Sequence, residues 1–235
     1  MAAALKKGEI VRLNYTARIA ENGKVFDTTD AETAKAEGIF NEKYSYAAMP
    51  YIIGSGRFFK VLDEAIASAE VGKETEIVIK CEDAAGVKDP KLIETYPIKE
   101  FYKQEIMPQP GLEVKLGDKT GTVVTVGAGR VTVDFNNFLA GKDLKYTFTV
   151  EEIMEDKAAK ADAIVQMDFG SSEGFTFEFT DDKVIVHTSD LTKFNQGWMM
   201  SKFRIVSDFR ESFEGLGAID FVETWAKPAE PKKSE

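Results

Sequence analysis

Short runs in which apolar and polar residues alternate recur along most of this 235-residue chain, and each run is closed by turn-forming residues. That pattern is the period-2 sign of half-buried strands. Val11, Leu13, Tyr15, Ala17 and Ile19 share one face of a half-buried strand. Asn22-Gly23 predicts a type I′ turn, whose two central residues both need positive φ. Val25-Phe26-Asp27 is the return strand. Residues 29–45 read as a short helix and a loop, and Pro50–Ile53 as a short strand closed by Gly54-Ser55-Gly56. Phe58, Val61, Leu62, Ala65, Ile66 and Ala69 then recur at helical spacing, predicting a helix over 58–70 with Gly72 as its C-terminal cap. Glu74–Cys81 alternates again. The class is α+β.

The pattern changes near Asp89-Pro90. Pro97–Phe101 predicts a short helix with proline in its first turn. Glu113–Leu116, Gly121–Val126 and Arg130–Phe135 read as strands, the last two joined at Gly127-Ala128-Gly129. These pieces form a small β-rich unit of their own. Lys145–Ile153 is a further strand, and Glu155–Asp162 is a charged linker or an exposed helix. Phe175, Phe177 and Phe179 alternate, turn at Asp181-Asp182 and return through Val184–Val186. Leu191–Phe213 has helical spacing marked by Trp198, Phe203, Val206 and Phe209, and Ile219–Val222 closes the series as a strand. The polar stretch from Pro228 to Glu235 is expected to be disordered.

The charge balance is −10, with 40 acidic against 30 basic residues. Phosphate binding needs clustered Lys and Arg, so neither nucleic acid nor an anionic membrane is an expected partner. No run approaches the length of a membrane-spanning helix, and the N-terminus lacks the apolar core of a signal peptide. The lone cysteine, Cys81, rules out an intrachain disulfide and fits a cytoplasmic setting. It ends an apolar-alternating run and reads as a buried structural thiol. The lone histidine, His187, sits in a strand-like run away from any candidate nucleophile. Zinc sites built from Cys and His are excluded by count, and no metal or cofactor is expected.

Three segments together resemble the FKBP-type peptidyl-prolyl isomerases. Val11–Thr16 followed by Asn22–Thr29 resembles the family's opening hairpin. Gly54-Ser55-Gly56 leading to Leu62–Ile66 and Val71-Gly72-Lys73 is similar to its central helix and exit. Asp134–Lys142 followed by Leu144-Lys145-Tyr146 resembles the re-entry segment of the SlyD-like branch, where a chaperone domain is inserted in the flap. Residues 156–227 resemble the extra C-terminal domain of long archaeal members. The resemblance implies an antiparallel FKBP half-barrel wrapped on a short helix, with an inserted β-rich domain and a small α+β C-terminal domain. Its boundaries would be 1–86 with 138–155, 87–137 and 156–227, followed by the tail 228–235.

By resemblance, Tyr15, Phe26 and Asp27 supply an aromatic-aromatic-acid set, and Met49, Tyr51, Phe58 and Phe59 supply pocket walls. Leu62 would be the floor, and Leu139 and Tyr146 the apolar positions after the insert. Read one at a time, each of these aromatics fits ordinary core packing. In the insert, Tyr96, Ile98, Phe101, Tyr102, Ile106, Met107 and Leu112 either bind extended chains or form the insert's own core. The chain departs from the family at Ala85, where Tyr or Phe is usual, at Val61, usually Gly, and at Asn137, often His. Three roles remain open: an isomerase acting on unfolded or partly folded polypeptides with X-Pro bonds, a holdase chaperone with a decayed pocket, and a homodimer assembled through residues 156–227.

Overall fold

A computed structural model describes residues 5–225; the tail expected to be disordered lies outside them. The chain begins with β1 (Ile10–Ile19), β2 (Val25–Thr28), α1 (Ala31–Ala36), β3 (Met49–Ile52), α2 (Lys60–Ala67) and β4 (Glu74–Ile79). Next come β5 (Ile93–Pro97), α3 (Ile98–Tyr102), β6 (Glu113–Leu116), β7 (Lys119–Gly127) and β8 (Arg130–Asp134). The chain continues with β9 (Leu144–Ile153), α4 (Lys157–Phe169), β10 (Thr176–Phe179), β11 (Lys183–His187), α5 (Trp198–Ser212) and β12 (Ala218–Val222). The fold is mixed α+β. Two compact units emerge, one holding residues up to 16, 27–76 and those from 147 on, the other 17–26 and 77–146.

The first sheet has the order β2-β1-β9-β4, with β3 paired antiparallel to β1 so that Ile10 lies opposite Ile52 and Leu13 opposite Met49. The expected alternation is present: Leu13, Ala17 and Ile19 are buried, and the residues between them are only partly so. Two local expectations fail. Only Gly23 of the Asn22-Gly23 pair has positive φ, at 71°, so the turn is not type I′. Instead Gly23 N–H donates to the Ile19 carbonyl, and Asn22 Oδ1 accepts from Lys24 N–H. The central helix stops at Ala67, capped by Ser68, and Gly72 lies in the next turn, where its N–H donates to the Val150 carbonyl.

In the second unit, β5-β8-β7-β6 form an antiparallel sheet over a core of Phe101, Val114, Val123, Val131 and Val133. Strand β5 was not anticipated. It lies at the sheet edge, ends in Pro97 and exposes Ile93, so it shows little apolar alternation.

In the first unit, β10-β11-β12 form a sheet with β10 antiparallel and β12 parallel to β11. The stretch after Glu155, expected as a linker or an exposed helix, is the start of α4, a helix with a buried face. Asp156 caps this helix by accepting from Ala159 N–H, and Gly170 ends it at a φ of 90°. Ala161, Ala163, Ile164 and Val165 bury its face against Phe175, Val184, Val186, Trp198, Ile205 and Phe209. Ile10 of β1, Ile52 of β3 and Met154 belong to the same apolar cluster. The charges of 155–162 read as a linker or an exposed helix, although its small alanines are what allow close helix packing. No helix among the described residues is long and apolar enough to cross a membrane.

Candidate active site

Strand β1 brings Tyr15 beside β2, and the Tyr15 hydroxyl donates to Asp27 Oδ2 at 2.7 Å. Phe58 meets the Tyr15 ring edge-on, with centroids 5.4 Å apart and planes at 82°. Behind Phe58 lies Tyr51, with centroids 5.0 Å apart. The Tyr51 hydroxyl donates to Asp63 Oδ1 at 2.8 Å, and Gly54 N–H donates to the same oxygen at 3.1 Å. Burial, reinforced by the Asp63 hydrogen bond, pushes the Tyr51 phenol up. Two Tyr–Asp hydrogen bonds therefore fix the tyrosines on either side of Phe58. Asp63, which carries one of them, was not anticipated as a site residue. Its sequence signal is its place inside the Leu62–Ile66 segment that carries the family resemblance.

Phe58 sits on the segment Gly54–Phe59 that joins β3 to α2. Gly54 and Gly56 have φ of 78° and 66°, conformations an L side chain rarely adopts. Phe59 is the N-cap of α2 and partly exposed. Tyr51 and Leu62, expected as wall and floor, are both fully buried, Tyr51 behind the partly exposed Phe58 ring. Met49 lines a groove of about 270 Å³ with Arg12, Ala48 and Pro50 on one side and Gln166 and Met167 of α4 on the other.

In the second unit Phe26 makes edge-on contacts with Tyr146, at 6.2 Å, and Phe138, at 6.1 Å. Tyr146 and Leu139 are buried, whereas Phe138 is exposed and carries the Lys142 ammonium 5.9 Å from its ring. Phe138 was missed as a candidate even though it stands inside the re-entry motif. Ala85 is partly exposed in a turn closed by Gly86 N–H to the Cys81 carbonyl, at 2.7 Å. Cys81 is only half-buried, correcting the expectation of a buried thiol. Desolvation and the neighbouring Glu82 push its thiol up, away from nucleophilic use. His187 pairs across strands with Glu178 at 2.9 Å.

The insert's seven candidates divide. Phe101 is fully buried at the centre of the core, with Tyr96, Ile98 and Ile106 packed against it. It is therefore withdrawn from the binding surface. Tyr102, Met107 and Leu112 are exposed, Met107 at 70%.

Three family models match the chain. The model described as FKBP-type peptidyl-prolyl cis-trans isomerase covers residues 2–96, the FKBP26 IF domain covers 92–139, and the FKBP26 C-terminal domain covers 157–226. The short-type peptidyl-prolyl cis-trans isomerase of Methanocaldococcus jannaschii is 33% identical over 153 residues, which is 65% of this chain and 96% of that protein. The chain belongs to the FKBP-type peptidyl-prolyl cis-trans isomerases. The SlyD isomerase of Helicobacter pylori is 28% identical over 127 residues, 51% of this chain and 68% of that protein. A probable FKBP-type 16 kDa isomerase of Pseudomonas fluorescens is 30% identical over 148 residues, 61% of this chain and 86% of that protein. The chain is thus an enzyme of the peptidyl-prolyl cis-trans isomerase class, and polypeptides are its substrates. In this FKBP-type isomerase, the Tyr15–Asp27 pair and Phe58 fall within the residues matched to the isomerase model.

Proposed function

We propose that this isomerase accelerates X-Pro rotation without any covalent step, by holding the prolyl residue against aromatic side chains while the amide twists. Amide resonance sets a barrier of ~18–20 kcal/mol. The planar amide is more polar than the twisted one, because twisting breaks N–C=O conjugation. An apolar, aromatic environment therefore penalises the ground state more than the transition state. The observation that carries this reading is Phe58 held between Tyr15 and Tyr51, each tyrosine anchored through its hydroxyl to an aspartate. Tyr15 and Phe58 are assigned to contact the prolyl residue, Tyr51, Leu62, Met49 and Phe59 to shape their surroundings, and Asp27 to fix the Tyr15 ring. In the second unit Phe26 and Tyr146 meet edge-on and Leu139 is buried. Replacing Phe58 or Tyr15 by Ala is expected to lower kcat/KM on a short proline-containing peptide by roughly tenfold or more. An unchanged value for both would remove this assignment.

The proposed division is isomerase domain 1–86 with 138–155, insert 87–137 and C-terminal domain 156–227. The insert is assigned to gripping unfolded chains through exposed Tyr102, Met107 and Leu112. Tethering a substrate there raises its concentration at the isomerase site. The C-terminal domain is assigned to homodimer formation. Met199, Met200 and Phe203 stand exposed on α5, the last at 76%, and sedimentation at rising concentration would detect the dimer. A cytoplasmic location fits the single cysteine.

Ala85 favours a second reading, a holdase with a weakened isomerase, because it offers neither a hydroxyl nor a ring. Ala85→Tyr is then expected to raise the rate of a proline-limited refolding reaction. An equal or lower rate would count against a weakened pocket at this position.

A further inference from the structure

The segment that presents Phe58 is tied to the C-terminal helices by a charge cluster that the isomerisation chemistry does not explain. Arg57, directly before Phe58, donates from Nη2 to Asp168 Oδ1 of α4 at 2.7 Å, and the same nitrogen contacts Asp208 Oδ2 of α5. The Asp168 side chain is 0% exposed and the Asp208 side chain is nearly as enclosed, while Arg57 is about one-third exposed. Arg204 of α5 adds a hydrogen bond to the Asp168 carbonyl oxygen at 2.8 Å. Burying two carboxylates is costly, and an apolar cluster of the same size would hold two domains at least as firmly. Such a cluster is already present, since Ile10, Ile52 and Met154 pack with the buried faces of α4 and α5. Lys7 also pairs with Glu211 at 3.0 Å. Docking therefore does not require Arg57. What the charges add is direction: a guanidinium held by carboxylates from two helices has little freedom, and neither does the residue next to it.

We propose that Arg57 is a positioning residue of the isomerase, anchored by Asp168 and Asp208 so that the C-terminal helices set the pose of the Phe58 ring. The inference rests on the assignment of Phe58 to the substrate site. It makes the C-terminal domain a working part of the enzyme. A small displacement of a wall ring costs rate even when the fold is intact.

The test uses the full chain with Arg57→Ala, Arg57→Lys, Phe58→Ala and the Arg57→Ala/Phe58→Ala double variant, and reads kcat/KM on a short proline-containing peptide. Near-UV circular dichroism establishes that each variant is folded. Arg57→Ala is expected to lose roughly tenfold, and Arg57→Lys less, because the ammonium keeps the charge on a shorter and more flexible stem. The double variant is expected to match Phe58→Ala within about twofold, because Arg57 acts only through that ring. If Phe58→Ala is impaired while folded Arg57→Ala keeps full activity, or if the two losses multiply, the positioning role is overturned and the pocket assignment survives. If Phe58→Ala itself is unimpaired, the pocket assignment fails and the positioning role fails with it. Should Arg57→Ala not fold, Asp208→Asn replaces it. A loss of at least about twofold from that variant, absent in the Phe58→Ala background, supports the proposal, and full activity overturns it.

Discussion

The insert and the C-terminal domain are both small sheets with helices, but they are built to different thicknesses. The insert closes over five buried side chains, with Tyr96 meeting Phe101 and Phe135 edge-on. The C-terminal domain packs two long helices on its sheet, and Phe169, Phe175, Trp198 and Phe221 meet ring against ring. A thin core opens locally at lower free energy than a thick one. That suits a surface that must accept many chain conformations, whereas the thick core suits a body that fixes Arg57 to within a hydrogen bond.

The largest expected effect breaks the thin core. Phe101→Ala removes a fully buried ring at a cost of about 3–5 kcal/mol, and the remaining valines cannot close the gap. Hydrogen exchange should show lost protection along β5 to β8, with holdase activity lost and short-peptide isomerisation kept. Phe209→Ala carries a similar cost, but the domain should stay folded, because Phe177 and Phe213 still pack where the ring was. Retained protection in the Phe101→Ala insert would mean that the two cores do not differ as argued.

A second, smaller contrast is electrostatic. Burial, with the charge of Asp168 adding to it, pushes the Asp208 carboxyl up to about 6 against the pull of Arg57. Folding therefore favours its protonated form. That contribution is complete below the ordinary carboxylate range near 4 and is lost as pH rises through 6. In the insert the sign is opposite. Lys119 holds Glu94 below its ordinary range, and Lys88 and Asn136 hold Asp134 low despite its burial. Their contribution is present above pH 4 and lost as pH falls. Between pH 5 and 7 the C-terminal domain should lose on the order of 1 kcal/mol through Asp208. Urea unfolding of Asp208→Asn should show a flatter profile across that window. Below pH 4 the insert should lose exchange protection first.

These two regions were also unequally legible in the sequence. β7 and β8 were readable because valines are interleaved with threonines and the turn between them carries glycine, and β6 because Val114 and Leu116 alternate with charged residues. β5 was not, because an edge strand buries little and alternates weakly. Tyr15 and Asp27 could be located because both stand in the opening hairpin that carries the family resemblance. The Arg57 contacts could not, because they join residues 111 and 151 positions apart and no local pattern encodes them. The exposure of Met107 and the burial of Phe101 were equally hidden, since both belong to the same apolar stretch and only tertiary packing separates them.

The smallest effect on stability sharpens that last distinction. Met107 is exposed and Phe101 is enclosed, so Met107→Ser should shift the unfolding midpoint by no more than the equivalent of about 0.5 kcal/mol. The flexible thioether adapts to irregular apolar partners, and serine removes that contact without disturbing the core. Suppression of aggregation of an unfolded protein should therefore weaken while the insert's exchange protection stays unchanged. Met199→Ser on α5, an equally exposed methionine, should leave that suppression intact. If both substitutions weaken it equally, exposed methionine in general grips clients and the insert holds no special claim. If neither does, the binding surface lies elsewhere on the insert, with Tyr102 and Leu112 as the remaining exposed candidates.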